Sequence, residues 1–199
     1  MQPLRVQSRQ ADHRGVRATL RASTSGVHER LHEARSFAAL AEGRLDRHGY
    51  ADLLIRLHAF HRAVDPAVVS ARRVLGMTDV PAGGTRVARL EADLAHLGGA
   101  PYRRIAMPAW EAEVAVGCLY VVEGSMLGGK LIHRQLDYLF GANEAGRSFF
   151  GGGAGDGGRW RELCDRLESY GATAERLGRM TQGAASAFAL FQACLEEAA

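Results

Sequence analysis

Lysine is almost absent from this chain of 199 residues: Lys130 is the single one among 25 basic side chains, and the rest are arginines. Set against 22 acidic residues, the net charge is +3, too small to argue for nucleic acid as a partner. No run of like charge forms a basic arm or an acidic tail. Cysteine is scarce as well. Cys118, Cys164 and Cys194 stand far apart, with no CxxC pair, so neither a zinc ribbon nor a disulfide framework is indicated. Residues 1–21 are polar and arginine-rich and lack the apolar centre of a secretory signal. The most apolar stretch, 114–132, is interrupted by Glu123, Lys130 and several glycines, so it reads poorly as a membrane span. Strand signals are missing too: no hairpin dipeptide between alternating runs, and no internal repeat. The expectation is a reduced, cytoplasmic protein with neither membrane nor nucleic acid as a partner.

What is present is helical spacing. Hydrophobic residues make up 47% of the chain and charged ones 24%, enough to bury a core without disulfides. Apolar positions recur at helical intervals from Val16 to about 41. A second helix is predicted from near Tyr50 to Asp65-Pro66, with a possible continuation to Leu75. A short amphipathic helix follows over 86–97, closed by Gly98-Gly99. Pro108 is placed to open a long helix over 110–140, and 160–169 and 172–198 close the chain. Residues 141–158 hold eight glycines and read as a loop, with Phe149 and Phe150 tucked back onto the core. The expected architecture is a flexible lead-in, 1–15, and one all-α domain of six or seven helices, 16–199.

The long helix carries the most unusual feature, Tyr120-Val121-Val122-Glu123-Gly124-Ser125-Met126-Leu127-Gly128-Gly129. Each glycine inside a helix costs roughly 1 kcal/mol relative to alanine, so Gly124, Gly128 and Gly129 together cost about 3 kcal/mol. Gly124 and Gly128 lie one turn apart on one face, with Gly117 two turns back. Bare backbone on one face serves either close helix–helix packing or a flat, wide ligand, and spacing alone leaves both open. Glu123, in mainly apolar company, is expected to pair with an arginine if buried.

A second feature, His28-Glu29-Arg30-Leu31-His32, fits H-E-x-x-H, the zinc-peptidase pattern. Glu33, Glu42 and His48 are possible third ligands, without a distinctive spacing. Glu29-x-x-His32 is half of a di-iron carboxylate motif whose other half is absent. A third reading uses His28 alone. Arg21, Thr24 and His28 share a helix face; an imidazole can ligate haem iron, and an arginine two turns away can pair with a propionate. His58 and His61 read as packing or surface residues, and Cys118 as a buried structural thiol.

With these residues in view, the chain resembles the bacterial biliverdin-producing haem oxygenases, especially those associated with bacteriophytochromes. The resemblance rests on Leu20-Arg21-x-x-Thr24-x-x-x-His28 and, more strongly, on the segment from Tyr120 to Gly129, with Phe149-Phe150, Trp160 and the segment from Ala187 to Phe191 following in order. It implies a single-domain helical bundle holding haem, both substrate and cofactor, between a proximal and a glycine-rich distal helix. His28 would be the axial ligand. Gly124, Ser125, Gly128 and Gly129 would crowd the distal face, leaving room for O2 and little else. Arg21, Thr24, Tyr120 and Arg161 or Arg166 would line the haem edge, the arginines toward the propionates. The implied products are biliverdin, carbon monoxide and ferrous iron, with electrons from a ferredoxin or flavoprotein reductase and a bacteriophytochrome as a possible recipient of biliverdin. Two positions depart from many members: His32 stands where a carboxylate often follows the proximal histidine, and Ser125 where some carry an aspartate. The rival readings are a non-catalytic haem or tetrapyrrole binding protein on the same fold, a haem-free relative, and a zinc hydrolase on His28 and His32.

Overall fold

The computed structural model describes residues 15–32, 34–77, 84–100, 110–152 and 156–196. Its first helix, α1 (Val16–His32), contains Ser23, Thr24, Ser25 and Gly26, poor helix formers in sequence. The helix persists because each hydroxyl bonds back to its own preceding turn: Ser23 to the Leu20 carbonyl, Thr24 to Leu20 and Ser25 to Ala22. Its N-terminus is capped from far along the chain. The Glu168 carboxylate accepts from the Val16 and Arg17 amides at 2.8 and 3.0 Å, satisfying two of the donors a helix start leaves unpaired.

The expected first helix over 16–41 is two helices, α1 and α2 (Arg35–Ala41). The second is one unbroken helix, α3 (Arg47–Val74), capped by the Asp46 side chain on the Gly49 amide, 2.8 Å. Pro66 lies inside it. Its ring is exposed, while Val64 and Val68 on either side are buried, so packing holds the helix together across a break that costs about 3 kcal/mol. Then comes α4 (Gly84–His96), ended by Gly98 at φ +75°, where a left-handed residue closes the helix. The proposed start at Pro108 lies outside the described residues.

The long helix predicted over 110–140 is segmented: α5 (Ala112–Ser125), a 3-10 turn (Met126–Gly128), α6 (Gly129–Gln135) and α7 (Asp137–Phe140). The first breaks, around Met126–Gly128, fall in the glycine-rich stretch, where backbone freedom is greatest; the last is at Leu136. By length and apolarity 112–135 would suffice to cross a membrane, but half of it is buried inside the fold. The glycine-rich loop contains a one-turn helix, α8 (Ser148–Gly151), and is followed by α9 (Asp156–Tyr170) and α10 (Ala174–Glu196). No strand occurs among the described residues.

The fold is organised around α5, which packs on α10 and α3; α1 lies against α10 and α9. Gly117 of α5 and Gly183 of α10 allow these two backbones to touch. A Cβ on Gly117 would stand 1.9 Å from the Met180 carbonyl oxygen, and one on Gly183 1.9 Å from that of Val114. Two apolar clusters result. One joins α1, α3, α5, α9 and α10 around Leu20, Val68, Leu119, Leu163 and Met180. The other lies under α2, α4 and α8 around Tyr50, Leu90, Phe149 and Phe150. The buried Asp93 carboxylate of α4 holds the start of α8, accepting from the Ser148 amide and hydroxyl and the Phe149 amide at 2.8–2.9 Å. That clamp keeps both phenylalanines in the core, as the sequence reading expected.

Candidate functional site

Along α1, Arg17, Arg21, Thr24 and His28 recur at helical spacing and share one face. Thr24 is buried; besides bonding to its own helix, its hydroxyl lies beside the Tyr120 phenol of α5. Arg17 Nη1 stands 3.9 Å from Cys164 Sγ on α9. His28 is exposed, and its ring meets the largely buried Phe188 of α10 edge-on, with centroids 6.3 Å apart. The imidazole thus rises from the exposed side of α1, beside an aromatic edge.

Tyr120 is the turning point on the other side. It leans on Trp160 of α9, centroids 5.8 Å apart. Burial pushes its phenol above the usual tyrosine range, with Cys164 adding to this, while Arg21, Arg17 and the Thr24 hydroxyl pull the other way. Tyr120, Gly124, Leu127, Gly128 and Leu131 follow at helical spacing. A Cβ on Gly124 would touch the Trp160 ring at 3.3 Å, whereas one on Gly128 would have no neighbour within 4 Å. Leu127 and Leu131 are each 55% exposed, the two most exposed large apolar side chains among the described residues. The face that Tyr120 turns toward α1 is therefore bare backbone flanked by two exposed leucines. A flat, apolar ligand is what such a surface accommodates.

Behind this face the turn is anchored. Glu123 is nearly buried and bonds to Arg72 Nη2 of α3 at 2.5 Å and Arg86 Nη2 of α4 at 2.6 Å, the arginine pairing expected from sequence. Burial alone would raise its carboxyl, but the two guanidiniums, Arg86 foremost, outweigh that and hold it below the ordinary carboxylate range. Ser125 Oγ donates to the Val122 carbonyl at 2.9 Å. Cys118 is fully buried and burial pushes its thiol up, away from reactivity.

The structure thus brings Arg21, Thr24 and Tyr120 together, with His28 one turn along α1 and Gly124 and Gly128 along the Tyr120 face. It does not bring in every predicted residue. Gly129 is buried, and a Cβ there would stand 2.8 Å from the Phe150 carbonyl oxygen; its missing side chain is accounted for by α8, not by a ligand face. Arg161 donates to its own Gly157 carbonyl at 3.4 Å, and Arg166 pairs with Glu162 and passes over Gly76. On α9 the side turned to α1 carries Trp160, Cys164 and Glu168; Arg161, three residues before Cys164 and seven before Glu168, lies at the edge of that side, and Arg166 is turned away from it. Arg17 adds a second arginine on the α1 side, beside Arg21. The sequence reading missed it, although it lies one turn before Arg21. It also missed Leu127 and Leu131, whose i, i+4 spacing beside Gly128 was the available signal. No group of three or more His, Cys, Asp or Glu is arranged to hold a metal ion among the described residues, and the His32 side chain lies outside them.

Comparison with known proteins separates these readings. The family model described as Heme oxygenase matches residues 15–197. The chain belongs to the haem oxygenase family. A haem oxygenase of Xanthomonas campestris pv. campestris (strain 8004) is 31% identical over 164 residues, 79% of this chain and 94% of that protein. The NO- and CO-bound haem oxygenase structure from Neisseria meningitidis aligns with a TM-score of 0.74 at 27% identity, over 91% of this chain and 90% of that one. The haem complex of haem oxygenase-1 from the cyanobacterium Synechocystis shares the fold, with a TM-score of 0.70 at 15% identity over 92% and 91% of the two chains. As a haem oxygenase the protein is an enzyme that binds and degrades haem, which sets aside the zinc-hydrolase and non-catalytic readings. Its residues fit that substrate on their own evidence. Gly128 leaves a cradle that any Cβ would enter, two exposed leucines border it, and an exposed imidazole stands on the facing helix.

Proposed function

We propose that haem lies between α1 and the face from Tyr120 to Leu131, with His28 as its iron ligand, and that the enzyme opens it to biliverdin with release of carbon monoxide and ferrous iron. The observation that carries this reading is the face itself: backbone without side chains at Gly124 and Gly128, exposed Leu127 and Leu131, and Tyr120 turned to the helix that bears His28. Bound haem supplies the iron at which O2 is reduced. The chain binds and orients the ring. Arg17 and Arg21 sit where carboxylates at the edge of the ring would meet positive charge. Ser125, whose hydroxyl is engaged with Val122, brings no charge, and Glu123 is turned to Arg72 and Arg86; neither places an acid on the reaction face, where it would divert oxygen chemistry. Electrons come from a ferredoxin or flavoprotein reductase. The motif from Tyr120 to Gly129 supports a place among the bacteriophytochrome-associated members, with biliverdin passed to such a photoreceptor in the cytoplasm and no membrane or nucleic acid involved.

The test is a haemin titration of the wild type and of His28→Ala, followed by reductant in air with catalase and an iron chelator present. The expected result is a one-to-one Soret band that weakens or shifts in the variant and gives way to biliverdin absorption in the wild type. A Soret band indifferent to His28→Ala would overturn the ligand assignment. A wild-type band that never converts with competent reductases would overturn the proposed reaction.

A further inference from the structure

The segment that lies over the substrate has few tethers of its own. Beyond Val122, Ser125 bonds only within its own helix, Gly124 and Gly128 have no side chains, and Leu127 and Leu131 are exposed. Met126 reaches the second core only in part, and Gly129 rests on the Phe150 carbonyl. Glu123 is the last side chain before the glycines with long-range polar partners, and both its oxygens are used, on two different helices. The three charged side chains are each 8–12% exposed. Stability does not demand such an arrangement: apolar residues in place of a buried ion cluster are often as stable or more so. What an apolar contact lacks is direction. Two short charge-assisted hydrogen bonds fix the end of α5 in rotation and translation relative to α3 and α4.

We infer that Glu123, held by Arg72 and Arg86, is a positioning residue that sets the height and rotation of the Gly124–Gly128 backbone over the haem. This rests on the substrate placement proposed above. Rate would depend on the clamp because a misplacement of about 1 Å in a reacting assembly costs roughly a hundredfold. Haem uptake depends on it less, since His28, Arg17 and Arg21 lie on α1, which the clamp does not hold.

Arg86→Leu tests the inference most cleanly. It leaves Glu123 and Arg72 as a neutral pair, so the chain keeps its fold, checked by circular dichroism. Arg86→Lys is the conservative control, and Glu123→Gln, which leaves two buried guanidiniums facing each other, is the more severe variant. In Arg86→Leu the expected result is unchanged stoichiometry of haem uptake and little change in KM. The kcat for ring opening falls about tenfold or more, and the C–O stretch of the ferrous carbonyl complex shifts. Arg86→Lys restores both, at least in part; Glu123→Gln, where it folds, moves both further. A folded Arg86→Leu enzyme with wild-type kcat and an unmoved C–O stretch, even with a lower melting temperature, overturns the positioning role and leaves the haem site standing. A wild type that takes up no haem overturns the site itself, and the clamp with it.

Discussion

The two ends of one helical run use glycine for opposite purposes. At its start, Gly117 is closed by protein: α10 lies against it, Gly183 returns the contact, and each added Cβ would fall 1.9 Å from a carbonyl oxygen. At its end, Gly128 has nothing within 4 Å, and Gly124 has only the edge of Trp160 at 3.3 Å. Both glycines have the same propensity cost. In the first case it is offset by apolar burial between two helices, in the second by whatever the exposed backbone binds. Glycine spacing in a sequence therefore marks a bare face but not its occupant. The neighbour that a Cβ would meet is what distinguishes a fold contact from a binding face.

The largest effects should come from the closed end. Gly117→Ala and Gly183→Ala each force α5 and α10 apart, because backbone atoms cannot rotate away as side chains can. Overpacking of this kind costs about 3 kcal/mol or more. Thermal melts of the purified variants should show a large fall in midpoint, or no folded protein at all, with or without haemin. A variant at Gly117 that melts like the wild type and loses only haem would reverse the comparison.

The open end should behave in the contrary way. Leu127→Ser with Leu131→Ser removes two side chains already half in water, so the apo-protein's stability should stay within about 0.5 kcal/mol. Haem, by contrast, would lose the apolar area these leucines cover on binding, about 0.8–1.5 kcal/mol for the exposed half of each. That corresponds to at least about a tenfold weaker complex. Gly128→Ala should be smaller and opposite in sign for the fold. At φ −78° and ψ −17° alanine fits, and the apo-protein should gain up to about 1 kcal/mol, while titration shows weaker haem binding. A Gly128→Ala protein that is destabilised would mean the face is packed by the chain after all.

Much of this division was legible in the sequence, and the parts that were not share a cause. Helix from Val16 onward, from near Tyr50 and over 86–97, and the burial of Phe149 and Phe150, follow from local periodicity and turn residues; the division of 16–41 into α1 and α2 does not. The Arg21, Thr24 and His28 face and the Tyr120–Gly124–Gly128 stripe were visible as spacing. Periodicity could not show that Glu168 caps α1, that Asp93 caps α8, or that Gly129 meets Phe150, because each contact joins residues far apart in sequence. For the same reason it named Arg166 and passed over Arg17: Arg166 is near Trp160 in sequence but is turned away from the side of α9 that meets α1. The unbroken α3 shows the complementary case, where burial of Val64 and Val68 overrides a proline that local rules read as a stop.

At neutral pH the smallest expected effect concerns neither glycine end but the core on the α3 side, and it sharpens the comparison by separating folding from binding on the pH axis. His61 of α3 is buried against Phe60 and Phe149. Burial, reinforced by Arg86 and His58, lowers its pKa from 6.5 to about 3. In the unfolded chain the ring takes up a proton near its ordinary value, while in the folded chain it stays neutral far below that. Between pH 6.5 and 3 the unfolded state therefore binds more protons, and stability falls as pH falls, by the linkage of roughly one proton. Replacing the ring by His61→Leu removes that proton. Chemical denaturation from pH 6 to 4 should show the slope of unfolding free energy against pH reduced by about one proton equivalent, whatever the variant's absolute stability. Haem affinity at pH 7, where His61 is neutral in both states, should be unchanged. A variant whose slope matches the wild type while its haem binding collapses would move His61 from the closed side of the molecule to the open one.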